Sequence, residues 1–571
     1  MGLRYPGNSS RARFAFVLCG VSALLSSGSL LAQTPPDAGS VLQQIEQQRR
    51  NPLPPESAPL FVPPAPMQSL GGATIMVRTF NFAGNTRLTN EELASVVAPF
   101  VNRPVDFTGL QNAAIAVATA YREAGWVVRA YLPKQEIVDD AVTIQIIEAT
   151  LGSVRVEGEA RRASAERLRN IVRTGQVPGA PLNVRKLDRR MLLINDLPGV
   201  LATGSLAQGR SHAETDLVLA LEDGPLVSGS LTVDDAGTRF TGAERIVAAA
   251  SLNGQFGRGD RAEALLLHSE GSDYQRLAYS QAIGSRGIRV GVNASRLTYD
   301  IVTKDFAALD AHGTSSTVGL EASYPLLRAR MHNVFVALNV NDKSFDNSSA
   351  GATTTDYSVR NASLALYGNS FDGLFGGGAN TVSVAYVRGD VDLAGSPNEF
   401  MDALTTRTAG SFHKLQFAAS RLQVLTERVS LYAGVSGQRA GKNLDSSEKF
   451  YLGGSDGLRA YPQDEGGGAE GLLASLEARA RLPASFNLTG FFDWGSVRIN
   501  KDNDIPGGVA RNRGDFKGAG LTVGWTARFG LALKATVSRR IGSNPFPTIT
   551  GTDQDGSYEK NRFWLQASMP F

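Results

Sequence analysis

The chain is poor in several things that would have pointed to common functions. It has one cysteine in 571 residues, Cys19, which excludes an intramolecular disulfide. Beyond residue 31 no uninterrupted apolar run reaches about 18 residues, which disfavours a helical membrane span. Lysine and arginine total 57 against 54 aspartates and glutamates, a formal net charge of +3. That balance gives no basic field to hold nucleic acid. The five histidines, His212, His268, His312, His332 and His413, have no ligand-like spacing to one another, and with no second cysteine a zinc set is not legible. Gly-x-Ser-x-Gly does not occur between a strand and a helix. Asp553-Gln554-Asp555-Gly556 resembles half a calcium loop but lacks the distal glutamate, so it reads as a hairpin loop. The sequence therefore offers no catalytic residue, no metal site and no cofactor site.

Glycine, in contrast, is abundant at 61 residues, well above the typical share of about 7%, and most of the excess follows residue 225. Arg4, Arg11 and Arg13 precede an apolar run from Phe14 to Leu31 that ends at Ala32-Gln33, the three parts of a secretory signal over residues 1–32. Leu18 ahead of Cys19 argues against a lipoprotein site. Within residues 33–50, positions 37–50 read as a helix, with Ser40 and Gln43 as a capping box and Val41, Leu42 and Ile45 as a narrow apolar stripe. Its remaining faces carry Gln43, Gln44, Gln47, Gln48, Arg49 and Arg50, a composition suited to a wet surface or a water-filled lumen. Residues 51–74 are a proline-rich tether, extended and semi-rigid.

A small mixed unit is expected over residues 75–149: a strand at 76–82, a helix opened by a Thr89/Glu92 capping box, a second helix carrying Leu110, Ala114, Val117 and Tyr121 and ended by Gly125, then strands at 126–132 and 142–148. Residues 150–223 repeat that order, with helices at 165–172 and 184–195. The groove between the second helix and its neighbouring edge strand suits an extended client added as an extra strand. The residues singled out there are Leu110, Val117, Tyr121, Trp126, Val128 and Tyr131. The plainer reading of most of these apolar positions is core, and only the edge backbone is assigned to binding.

From residue 224 to 571 strand follows strand. Val290 and Val292 alternate with Arg289, Gly291 and Asn293, and Val382, Val384 and Tyr386 continue the pattern. Such alternation fits a soluble sandwich or a membrane barrel. Four features favour the barrel: the signal, some 350 residues without helices, loops of uneven length, and a last strand that puts Phe563, Leu565, Ala567, Met569 and the terminal Phe571 on one face.

Two stretches stand out within it. Leu452-Gly453-Gly454-Ser455-Asp456-Gly457-Leu458-Arg459-Ala460-Tyr461-Pro462 is too glycine-rich for a strand and presents one arginine at a loop tip. Phe491-Phe492-Asp493-Trp494-Gly495 is a strand in which Phe491, Asp493 and Gly495 share a face. An inward aspartate and a loop arginine suggest a charge pair inside an enclosure.

The whole order of parts resembles the TpsB transporters of two-partner secretion, the hemolysin- and hemagglutinin-exporting branch of the outer-membrane assembly superfamily. That resemblance implies a transmembrane antiparallel β-barrel of sixteen strands preceded by two α+β polypeptide-transport-associated (POTRA) domains and an N-terminal plug helix. It implies an inward loop with a Val/Ile-Arg-Gly-Tyr motif, here Leu458-Arg459-Ala460-Tyr461 with alanine in place of glycine, and a barrel-wall partner Phe-x-Asp-x-Gly, here Phe491, Asp493 and Gly495. The implied function is export of an unfolded secreted exoprotein, without nucleotide, across the outer membrane of a Gram-negative cell. The implied partners are that client, outer-membrane lipid and the barrel-assembly machinery during biogenesis. The runner-up is a barrel-assembly insertase, which usually carries more POTRA domains. A passive porin would leave about 150 residues of periplasmic domains unexplained.

Overall fold

The computed structural model describes residues 35–49, 53, 74–158, 161–211 and 213–571. The signal at 1–32 with Cys19, most of the tether at 51–74, and His212 lie outside the described residues. The first described element, helix α1 (Ala38–Gln48), lies within the expected 37–50 span but is capped one turn earlier than expected, at Asp37 instead of Ser40. Asp37 is the N-cap and its carboxylate accepts from the Ser40 amide, while the Ser40 hydroxyl oxygen accepts from the Asp37 amide. Ser40 thus already sits inside the helix, and Gln43 is free to bond elsewhere.

The expected strand at 76–82 is two strands, β1 (Thr74–Val77) and β2 (Thr79–Ala83). Val77 and Phe80 are both buried although three positions apart, which strict alternation forbids. The chain therefore breaks at Arg78, whose amide turns to the Asp140 carbonyl. Then come α2 (Asn90–Val97), opened by the Thr89/Glu92 box, β3 (Arg103–Asp106), α3 (Phe107–Glu123), β4 (Val128–Tyr131) and β5 (Ala141–Glu148). β1 pairs with β3, and the main sheet runs β2-β5-β4 with β2 parallel to β5. The second unit has β6 (Thr150–Glu157), α4 (Ala165–Gly175), α5 (Val184–Asn195), β7 (Val200–Gln208) and β8 (Glu214–Asp223), in the order β6-β8-β7 with β6 parallel to β8. The same order appears in both sheets, so the repeat seen in the sequence is a structural one.

The two units share backbone bonds. Leu182 donates to Ala149, Ala149 to Val127, and Val127 to Leu182. The second unit is in turn bolted to the barrel's lower turns. Asp196 takes both arms of Arg328 at 2.8 and 2.9 Å, Arg330 meets Asp188, and Arg167 and Arg189 donate to the Ala282 and Pro325 carbonyls at 2.7 Å.

Sixteen antiparallel strands, β9 (Val227–Asp234) through β24 (Asn561–Pro570), pair in sequence order and close β24 onto β9. Closure leaves no unpaired sheet edge, the condition for strands to cross a bilayer. Val290, Val292, Val382, Val384, Tyr386, Phe563 and Leu565 are exposed on the outer face, as lipid contact requires. Phe571 ends the chain on that face, exchanging backbone bonds with Gly229. Among the described residues no helix is long and apolar enough to cross a membrane.

Candidate functional site

The site is built from four barrel strands and one loop. β20 (Glu470–Arg481), β21 (Phe486–Arg498), β22 (Arg513–Thr526) and β23 (Ala532–Arg540) form the wall. Residues 441–469, between β19 (Val429–Ala440) and β20, fold back into the lumen. Leu458, Ala460 and Tyr461 are wholly buried there, and Arg459 nearly so.

The structure brings together the two motifs that the sequence holds 34 residues apart. Arg459 Nε donates to Asp493 Oδ2 at 2.9 Å and Nη2 to Oδ1 at 2.7 Å, a two-pronged pair. The Arg459 amide adds a bond to the same carboxylate, and the guanidinium lies 3.5 Å over the Phe491 ring. Each part of the wall motif therefore has a distinct contact. Phe491 stacks on the guanidinium, Asp493 pairs with it, and Gly495 leaves room for the tip, since a Cβ there would stand 2.7 Å from Leu458 Cδ1. The alanine at 460 is accommodated the same way. It faces Gly518 on β22, where an added Cβ would come within 2.5 Å of Ala460 Cβ, so the wall is hollow where the tip carries its methyl. Tyr461 meets Phe516 edge-on at 5.0 Å, with Arg540 over its other face at 4.4 Å.

Sequence reasoning missed the rest of the cradle. Glu477 takes the third arm of Arg459 at 2.9 Å and is held by Arg479, and Ser475 donates to Asp493 at 2.8 Å. Ser475, Glu477 and Arg479 share the inward face of β20, so charged residues alternating with leucine and alanine in a membrane strand were the available signal. Ser538 and the indole of Trp564 both donate to the Arg459 carbonyl, at 2.6 and 2.7 Å. No sequence pattern marks those two.

Helix α1 lies in the lumen beside this loop. Val41, Leu42 and Ile45 pack with Tyr274, Leu297 and Phe345. The polar faces are bonded where the sequence suggested they would be wet. Gln43 donates to the Lys449 carbonyl, and Gln47 exchanges bonds with the backbone of Tyr451. Glu46 meets Lys343 at 3.2 Å, and Glu448 pairs with both Lys343 and Lys414. The helix thus grips the stem of the arginine loop.

In the first small unit, Leu110, Val117 and Tyr121 are core residues. The Tyr121 hydroxyl donates to Glu148, and burial, followed by that carboxylate, pushes its pKa well above the ordinary value. Trp126 lies under the Arg87 guanidinium and bridges to Asn183, and Val127 is bonded to Leu182. The second unit covers the start of the edge through these contacts. Val128 to Tyr131 remain as the free margin of the sheet, with Tyr131 exposed. Alternation along the ladder, which starts with the Ala149 amide on Val127, turns the amides of Val128 and Ala130 outward. Among the described residues no group of three or more histidine, cysteine, aspartate or glutamate side chains is arranged to hold a metal ion.

Residues 213–526 match the family model described as "Haemolysin secretion/activation protein ShlB/FhaC/HecB", and residues 75–149 match "POTRA domain, ShlB-type". The chain is 26% identical over 581 residues to the heme/hemopexin transporter protein HuxB of Haemophilus influenzae (strain 86-028NP), covering 98% of this chain and 100% of HuxB. It is 30% identical over 277 residues to the outer membrane transporter CdiB of Escherichia coli, 45% of this chain and 46% of that one. The solved structure of CdiB from Escherichia coli shares the fold, with a TM-score of 0.68 at 20% identity over 95% of this chain and 100% of that one.

Removing one partner from a buried charge pair leaves the other uncompensated, at a cost of about 3–5 kcal/mol. That is enough to free a loop tip, while the ladder hydrogen bonds of the sixteen strands are untouched. Arg459→Ala or Asp493→Ala should therefore still give a heat-modifiable, membrane-inserted barrel. A Leu458→Cys reporter, buried in the parent, should become reactive to a membrane-impermeant maleimide in either variant. Unchanged protection of that cysteine in both would show that the pair does not hold the tip.

Proposed function

The chain belongs to the haemolysin secretion/activation protein family ShlB/FhaC/HecB, and from that premise we propose how its parts handle a client. It is an outer-membrane secretion transporter with POTRA domains in the periplasm, and its partner is a secreted exoprotein. The proposed division is a signal at 1–32, a plug helix at 33–50, a tether at 51–74, POTRA domains at 75–149 and 150–223, and a barrel at 224–571. The client is received unfolded in the periplasm along the edge of β4. It then passes outward through the barrel without nucleotide and without any catalytic step on the protein's part. Outer-membrane lipid surrounds the barrel, and the barrel-assembly machinery inserts it.

The observation that carries this reading is the filling of the lumen. A closed barrel holds a helix inside it through polar contacts that can be exchanged for water, namely the Gln43, Glu46 and Gln47 bonds. Apolar packing over the whole helix would make a permanent plug, and α1 has only a narrow stripe of it. A removable filling is what a conduit for a polypeptide needs.

Two experiments test the proposal. Deleting residues 37–50 should raise single-channel conductance in planar bilayers while secretion of the client persists; unchanged conductance with lost secretion would reverse the assignment of the helix. Proline at Val128 or Ala130 removes an outward N–H, so either substitution should abolish pull-down of the client's N-terminal segment, whereas alanine at Val128 should do much less. Circular dichroism of the full chain accompanies the comparison, and folded proline variants that still bind would rule out strand addition at this edge.

A further inference from the structure

Where the second small unit meets the barrel, arginines gather without acids. Arg167 of α4 and Arg189 and Arg190 of α5 reach the turn between β12 (Ser272–Ile283) and β13 (Ile288–Asp300) and the end of β14 (His312–Arg328). Arg167 donates to the Ala282 and Gly284 carbonyls, Arg190 to Ser285, and Arg189 to Pro325 and Leu326. Arg286 stands exposed in the same turn. Among the described residues none of these four arginines is in an ion pair, and the acids on α5 and just beyond it, Asp188 and Asp196, are taken by Arg330 and Arg328. A guanidinium has five donors to place. Here the Nε of Arg167 and of Arg190 are buried with no partner. Burial, then the charges of Arg189 and Arg286, hold the Arg190 pKa below its ordinary value, so the protein leaves a positive field at this junction unneutralised.

A groove on the lipid-facing side opens beside the cluster. The register sets Gly291 opposite Glu321, and Ser323 opposite Ala337 of β15 (His332–Ser349), on the inner face. Ile288, Ala322, Tyr324, Val336 and Leu338 therefore face outward. Ala322 pairs with Val290 on one side and Leu338 on the other, so a lone methyl stands between larger side chains. The surface there is hollowed into an open groove of about 330 Å³, with Arg286 and Tyr324 among its lining residues. Ile283, Leu326 and Leu327 are exposed on the flanking turns. An apolar slot beside unpaired guanidinium groups complements one kind of ligand, an anion with an apolar tail.

We propose that this junction binds an anionic phospholipid of the periplasmic leaflet, with an acyl chain in the groove and the phosphate between Arg190 and Arg286. The planar fork of a guanidinium matches phosphate oxygens, and a half-buried tyrosine suits the boundary between apolar and wet. Such a lipid touches the second unit through Arg190 and the barrel through Arg286. It therefore reinforces the joint that the Asp196–Arg328 and Asp188–Arg330 pairs make. The inference is independent of how a client is recognised.

Native mass spectrometry of the full-length protein in non-ionic detergent, titrated with dioleoylphosphatidylglycerol or dioleoylphosphatidylcholine, reads occupancy by the first lipid. Phosphatidylglycerol should bind the more tightly. Arg286→Gln changes an exposed side chain and should weaken its binding about fivefold, and Arg190→Gln/Arg286→Gln about 25-fold. Ala322→Phe fills the groove with every charge in place and should weaken it about tenfold, as for two methylenes displaced. Arg296→Gln, which removes an exposed charge from the far end of β13, should change nothing. Equal binding of the two lipids would overturn the proposal, as would full binding by the double variant or by Ala322→Phe. So would an equal loss in Arg296→Gln, or displacement of phosphatidylglycerol by excess inorganic phosphate, which would make the cluster a free-anion site.

Discussion

A guanidinium buried inside a membrane barrel needs charged partners to offset its desolvation, and the Arg459 cradle supplies them from several directions. Asp493 takes two donors, Glu477 takes another, and Phe491 covers the remaining face. The requirement reaches well beyond the pair. Glu477 and Asp493 stand on β20 and β21, Ser538 on β23 and Trp564 on β24, so placing one arginine fixes the loop against a quarter of the wall. The small residues at 495 and 518 are the steric counterpart of the same constraint, since a side chain at either would push the tip off its charges.

The loop and helix α1 are consequently one assembly. Gln43 and Gln47 imitate backbone partners for Lys449 and Tyr451, and Glu448 at the loop stem shares Lys343 with Glu46 of the helix. If the helix leaves, the stem loses the bonds it makes with Asp37, Gln43 and Gln47, and two buried lysines are left to share one glutamate. Opening the lumen and loosening the loop are then coupled through named contacts. The same loop also takes the Trp564 indole N–H on its Arg459 carbonyl and the Thr238 hydroxyl on Asp464.

The sequence was informative wherever the structure is periodic or the chemistry is local. Alternation to one side of the barrel, the repeated order of the small units, the Thr89/Glu92 cap and the two motifs could all be read because each lies within a short span. The break at Arg78 was hidden because a strand that changes sheets keeps its apolar content and loses only its phase. The cap of α1 was misplaced because Asp37 and Ser40 both suit a helix start, and only the reciprocal bond distinguishes them. Tyr121 and Trp126 were singled out beside the client edge, and their partners were not legible: one is spent on Glu148 and the core, and the other on Arg87 and Asn183. Trp564 and Thr238 carried no sign at all, since their partners lie 105 and 226 positions away and are backbone or loop groups.

The central claim is that Arg459 and Asp493 act as a unit to hold the loop in the state from which export proceeds. Client secretion measured for Arg459→Ala, Asp493→Ala and the double variant tests it most directly, with barrel insertion verified in each. Partners in one buried network lose their function together, so each single variant should reduce export strongly and the double variant should export no less than the worse single. Losses that multiply in the double variant, or normal secretion by both singles, would contradict the account.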